Sequence, residues 1–111
     1  MLEVKDSGAI QWAKGASHMI PAKQVKQLLK AKDSDQVLLK LFTPDANATW
    51  YITELEKSGN DYIGFGLCDL GMGFPELGYV SLNELADVRG KFGLHVERDM
   101  YFSDKTLDEC R

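Results

Sequence analysis

Apolar residues change their spacing along the chain near residue 36. Before it, Val25, Leu28 and Leu29 stand at i, i+3 and i+4 and define one helical stripe. Pro21 suits the first turn of that helix, where its missing N–H is unsatisfied anyway. Lys23, Lys26, Lys30 and Lys32 fall mostly off the stripe, and Asp33-Ser34-Asp35 ends it. Beyond this point the spacing shortens to two. Residues 37–43 are nearly continuously apolar apart from Lys40, which suits a strand covered on much of both faces. Residues 49–57 carry the strand formers Trp50, Tyr51, Ile52 and Thr53. Residues 62–70 alternate, with Ile63, Phe65 and Leu67 on one face and Gly64, Gly66 and Cys68 on the other. The two glycines leave their face open to close approach by a neighbour. Pro44-Asp45-Ala46-Asn47 and Ser58-Gly59-Asn60-Asp61 supply the turns, the second a hairpin.

Residues 71–76 form a glycine-rich loop ending in Phe74-Pro75-Glu76, and residues 77–80 read as a short fourth strand. That strand runs into Ser81-Leu82-Asn83-Glu84, the spacing of a capping box. The helix it opens has Leu82, Leu85 and Val88 inward and a glycine stop at Gly90. Residues 94–102 read as a last strand. Leu94, Val96, Met100 and Phe102 share one face, interrupted by Arg98; His95, Glu97, Asp99 and Tyr101 share the other. Strands grouped between helices and joined by short turns predict an α+β single domain. Its antiparallel sheet has about four to five strands, with two or three short helices packed on it.

Residues 1–18 show neither period. Gly15-Ala16-Ser17-His18-Met19 resembles the scar of a cloning site; the alternative is a natural extension that orders on docking. Either way the domain is expected to occupy residues 19–111, with 1–18 a disordered or vector-derived extension.

Composition narrows the classes. A chain of 111 residues with 44% hydrophobic and 27% charged residues is one ordinary globular domain, neither collagen-like nor coiled coil. Cys68 and Cys110 cannot form a disulfide framework or a four-ligand zinc site. Uncharged runs reach only about eight residues, far short of the roughly 18 of a membrane helix, and no apolar leader opens the chain. The expectation is a soluble cytoplasmic protein without membrane partners. A domain this small buries only about 60–70% of its unfolded surface, so its large apolar side chains are needed for the core. A deep cofactor cavity would compete for them; no cofactor is expected. The net charge of −4 is uneven: residues 1–55 carry +1 and residues 56–111 carry −5.

His95, Glu97 and Asp99 at alternate strand positions could converge as metal ligands or acid–base groups, with Glu76 or Asp69 joining from elsewhere. The simpler reading is the solvated face of an edge strand, and no metal site is assigned. Arg98, set among core-facing residues, requires a partner; Asp69 or Glu76 in a buried ion pair, or a bound anion, would supply one. The glycines at 64, 66, 71 and 73 do not make a phosphate loop, because no Lys-Ser/Thr follows them. Cys68 within a strand reads as a small core residue. The lysines at 23–32 are the one basic cluster that could meet nucleic acid.

From residue 37 onward the sequence resembles a family of small bacterial proteins, domain of unknown function number 2958. The matching stretches are Lys40-Leu-Phe-Thr-Pro-Asp45, Thr49-Trp-Tyr-Ile-Thr-Glu54 and Phe65-Gly-Leu-Cys-Asp69. Glu76-Leu-Gly-Tyr-Val-Ser-Leu-Asn-Glu-Leu85 and Gly93-Leu-His-Val-Glu-Arg-Asp-Met-Tyr-Phe102 complete them. The resemblance implies a stand-alone bacterial protein of the kind encoded on plasmids, conjugative elements and phages. It carries no catalytic residues to transfer.

Three functions follow in order of preference. The first is a non-enzymatic protein-binding module acting on host machinery or defence systems, using Trp50, Tyr51, Phe74, Tyr79 and Arg98, since aromatics and arginine are enriched at binding hot spots. The second is a small metal-assisted hydrolase built on Glu76, His95, Glu97 and Asp99. The third is nucleic-acid binding through the lysine-rich helix.

Overall fold

A computed structural model describes residues 2–11 and 19–111. In chain order it contains β1 (Glu3–Val4), β2 (Ile10–Gln11), α1 (Ala22–Lys30), β3 (Gln36–Val37), β4 (Leu39–Phe42), β5 (Thr49–Ser58) and β6 (Asp61–Asp69). After these come β7 (Glu76–Ser81), α2 (Leu82–Ala86), β8 (Glu97–Arg98), β9 (Lys105–Thr106) and α3 (Leu107–Cys110). The predicted α+β class holds: a five-stranded antiparallel sheet, in the order β7-β6-β5-β4-β8, carries three short helices.

The centre of the sheet is the β5–β6 hairpin, closed by the turn Gly59-Asn60 with Ser58 opposite Asp61. The strand predicted over 37–43 divides. Val37 turns away to pair with Lys105 of β9 in a separate ribbon, and β4 continues in the main sheet. The helical stripe lies where expected: Val25 and Leu28 of α1 are buried with Leu39, Leu41, Ile52 and Leu55 of the sheet. Burial of each such side chain contributes about 1.5–3 kcal/mol. A smaller cluster of Val37, Leu67 and Leu107, joined by Tyr51 and Phe102, covers part of the opposite face.

The close approach expected over the glycine face of β6 is made by Ile52 and Leu55 of β5, which lean over Gly64 and set the main core on that face. Three features differ from expectation. Leu2 and Ile10, within the stretch set aside, are buried; Ile10 bridges Ile20, and two-residue strands are too short to show a period. Residues 12–18 lie outside the described residues. The last strand shrinks to Glu97–Arg98, since Asp45 captures the N–H groups of Phe92 and Leu94 and holds the preceding segment in a loop. Finally, α3 is opened by a complete capping box of Thr106 and Glu109. At α2, Ser81 accepts from the Glu84 N–H while its own hydroxyl donates to Asp61.

Candidate functional site

The predicted carboxylate set does not assemble. Glu76 lies on β7 and Glu97 on β8, the two outermost strands of the sheet. Four strand spacings, about 19 Å, separate them. Asp99 is engaged by Lys40 at 3.3 Å, and Lys40 also lies 5.7 Å from the Tyr51 ring centre and 5.8 Å from that of Phe102. Glu97 pairs in register with Phe42, while His95 forms an isolated bridge with Arg89 and buries an Nδ1 without a hydrogen-bond partner. Among the described residues no three His, Cys, Asp or Glu side chains are grouped to hold a metal ion.

Arg98 finds neither Asp69 nor Glu76. It sits opposite Leu41 on the α1 side of the sheet, where Nη1 lies 3.5 Å from Gln24 Oε1 and Nε has no partner among the described residues. Burial lowers its pKa, and the neighbouring Asp99 charge offsets part of that. Cys68 stands directly opposite Trp50. Its thiol is pushed up by burial and by the charges of Asp69 and Glu76, against a hydrogen bond from Trp50, so it is held protonated and poorly nucleophilic.

The four aromatics proposed for binding separate into two pairs. Trp50 is buried and Tyr51 half-buried against Phe102. Phe74 and Tyr79 are 83% and 78% exposed. Leu70, Met72 and Leu77 are exposed as well; Leu70, Met72 and Phe74 line one hollow with Cys68 and Glu76, while Leu77 and Tyr79 stand on the other face of β7, opposite Leu67 and Phe65. The backbone explains the exposure of the loop: Gly71 and Gly73 both take positive φ, and Asp69 accepts from the Gly71 N–H, so the loop turns sharply and throws Met72 and Phe74 outward. The sequence holds one signal for this, large apolar residues at 70, 72 and 74 interrupted by glycines without a core period.

Three hollows border these side chains. One of about 420 Å³ lies under the loop between Leu70, Met72 and Phe74, with Cys68 and Glu76 on its rim. A narrower cleft of about 190 Å³ shares Cys68 and Glu76 and runs over Gly66 and Gly78 to Trp50 and Val80. A third, of about 370 Å³, lies beyond Tyr79 and Phe65, whose rings meet at 5.0 Å, and is lined by Asp33, Asp35 and Glu54 with no basic side chain among the described residues. The lysines of α1 face solvent on the other side of the helix from Val25 and Leu28.

The family model described as "Protein of unknown function (DUF2958)" matches residues 14–107. The chain belongs to the DUF2958 family. No curated protein and no solved structure matches it. The DUF2958 match covers the whole five-stranded sheet and all three hollows beside β7, so the exposed side chains lie on the family domain itself. Among the described residues no helix is long and apolar enough to cross a membrane.

Proposed function

We infer that this DUF2958 protein is a docking module that binds another protein through the 71–76 loop and β7. The observation that carries the reading is the run of exposed large apolar side chains, Leu70, Met72, Phe74, Leu77 and Tyr79, set on a turn and an edge strand. Exposed large apolar residues concentrated in one stretch, here three around one hollow and two on the adjoining edge strand, mark interaction sites more than singly scattered ones do. Hot spots are enriched in tyrosine, and a protruding ring such as Phe74 can fill a pocket on a partner. Trp50 and Tyr51 support this surface from within rather than contact the partner. Arg98, on β8 at the opposite edge of the sheet, takes no part.

The test is a stoichiometric pull-down from the bacterial host followed by reconstitution with the purified partner. Phe74→Ala and Met72→Ala should weaken the reconstituted complex by about tenfold or more each, as truncation of a hot-spot residue does. A well-folded protein whose only partner binds both variants as tightly as the parent would sink the reading.

A further inference from the structure

β7 is an outermost strand six residues long, hydrogen-bonded to β6 on one side and, among the described residues, to no strand on the other. Such an edge is a template for another strand unless it is blunted by proline, lysine or a covering element. The Glu76-Leu-Gly-Tyr-Val-Ser81 sequence contains neither proline nor lysine.

Two glycines face each other beside this edge, and they are there for different reasons. At Gly66 a Cβ would lie 1.8 Å from the Tyr51 carbonyl oxygen, so the fold itself demands glycine. At Gly78, its partner in register, the backbone has no positive φ and a Cβ would meet nothing within 4 Å among the described residues. The fold does not need that glycine. What its missing side chain does is keep open the floor of the cleft between Trp50, Val80 and Glu76. Glycine inside a strand commonly marks a place where a ligand or another chain approaches closely.

Resting on the docking reading above, we propose that the free edge of β7 accepts an extended segment of the partner as a sixth strand. The segment alternates apolar and basic residues. Side chains on an added strand alternate between the two sheet faces. One set enters the apolar cleft over Gly78; the other lies across the Tyr79–Phe65 ring pair. Charge decides what the second set is. The hollow beyond those rings is lined by Asp33, Asp35 and Glu54, and Glu76 stands at the opposite rim. A lysine or arginine laid over the rings gains both the aromatic face and the negative potential behind it. The same charges disfavour an acidic strand, and disfavour pairing of β7 with the β7 of a second, equally acidic copy.

The experiment titrates the full chain with two end-blocked hexapeptides, Lys-Val-Lys-Val-Lys-Val and Glu-Val-Glu-Val-Glu-Val, following backbone amide shifts and sedimentation. The basic peptide should perturb the amides of residues 76–81 and bind at least about tenfold tighter than the acidic one, the difference shrinking with added salt. Gly78→Ala and then Gly78→Val, which fill the cleft stepwise, should weaken it progressively while the thermal midpoint does not fall. Tyr79→Ala should weaken it about fivefold or more. Equal binding of the two peptides, shifts confined to other strands, or full binding by Gly78→Val would overturn the proposal. So would a concentration-dependent dimer that Gly78→Val dissolves, which would give the edge to a second copy. A purified partner lost on Phe74→Ala but retained by Gly78→Val would overturn strand addition while keeping the docking reading. A partner indifferent to Phe74→Ala would strike the docking reading itself.

Discussion

β6 has a neighbour on each side, and the two contacts are packed differently. Toward β5 the backbones are crowded. A bulge between Ile52 and Glu54 pushes the Tyr51 carbonyl to within 1.8 Å of where a Gly66 Cβ would stand, and the buried Thr53 hydroxyl donates to the Phe65 carbonyl at 3.2 Å. Toward β7 there is space, and Gly78 has none of those neighbours. Two glycines in one register pair therefore answer to two separate demands. One is required by packing, and the other leaves room for something outside the fold. Composition alone cannot distinguish them; the contacts of the absent side chain can.

The largest effect is expected at Gly66. Gly66→Ala should cost about 3 kcal/mol, because the clash is with rigid backbone rather than a movable side chain. Chemical denaturation measures it, and a loss under about 1 kcal/mol would mean that β5 and β6 are not crowded at all.

A smaller effect lies where the two flanks are tied together. Asp61 starts β6, accepts from the Tyr62 and Asn83 N–H groups at 2.7 and 3.0 Å, and takes the Ser81 hydroxyl, so it fastens the end of β7 and the start of α2 to the hairpin. Burial pushes its carboxyl up, but the bonds from Ser81, Asn83 and Tyr62 outweigh this and leave its pKa below the ordinary value. A depressed carboxylate contributes stability above its unfolded pKa, near 3.9, that disappears as pH falls through the folded value. Asp61→Asn should therefore lose about 1 kcal/mol at neutral pH, a figure already discounted for solvent screening, and should show a shallower decline between pH 5 and 3 than the parent. Parallel acid profiles of the two proteins would remove this role.

The smallest effect sharpens the contrast by its sign. Gly78→Val places a β-branched residue in a strand with free space around it and should stabilise by about 0.5 kcal/mol. A thermal midpoint that falls instead would show that the Gly78 side is as constrained as the Gly66 side.

Much of this arrangement can be read from spacing alone. The α1 stripe, the two turns and the β4-β5-β6-β7 succession follow from period and turn chemistry, and they lie where those rules place them. The orientation of β6 does not follow. Alternation separates Ile63, Phe65 and Leu67 from the glycines but does not say which face meets the main core, because that core is made by residues of β5 leaning over the glycines. The alternation of residues 94–102 is misleading, because only Glu97 and Arg98 pair and the preceding loop is held by Asp45, about fifty residues earlier in sequence. Conversely, the signal for α3 is plainly present: Thr106 and Glu109 have capping-box spacing. At the site, Phe74 and Tyr79 are exposed while Trp50, in an equally aromatic context, is not. That division depends on which face α1 covers, and the chain does not state it locally.

The order of pairing in the sheet bears on how the molecule comes into being. β4, β5, β6 and β7 are joined as successive neighbours, whereas β3 meets β9 through contacts such as Gln36 with Lys105, 69 residues apart. Contacts close in sequence form with less loop-closure entropy and so form sooner. As the chain leaves the ribosome, β4 to β7 and the open β7 edge emerge before the segments carrying β8 and β9. The free edge thus emerges ahead of the opposite edge of the sheet. During synthesis, the acidic residues around it must keep neighbouring nascent chains from pairing there.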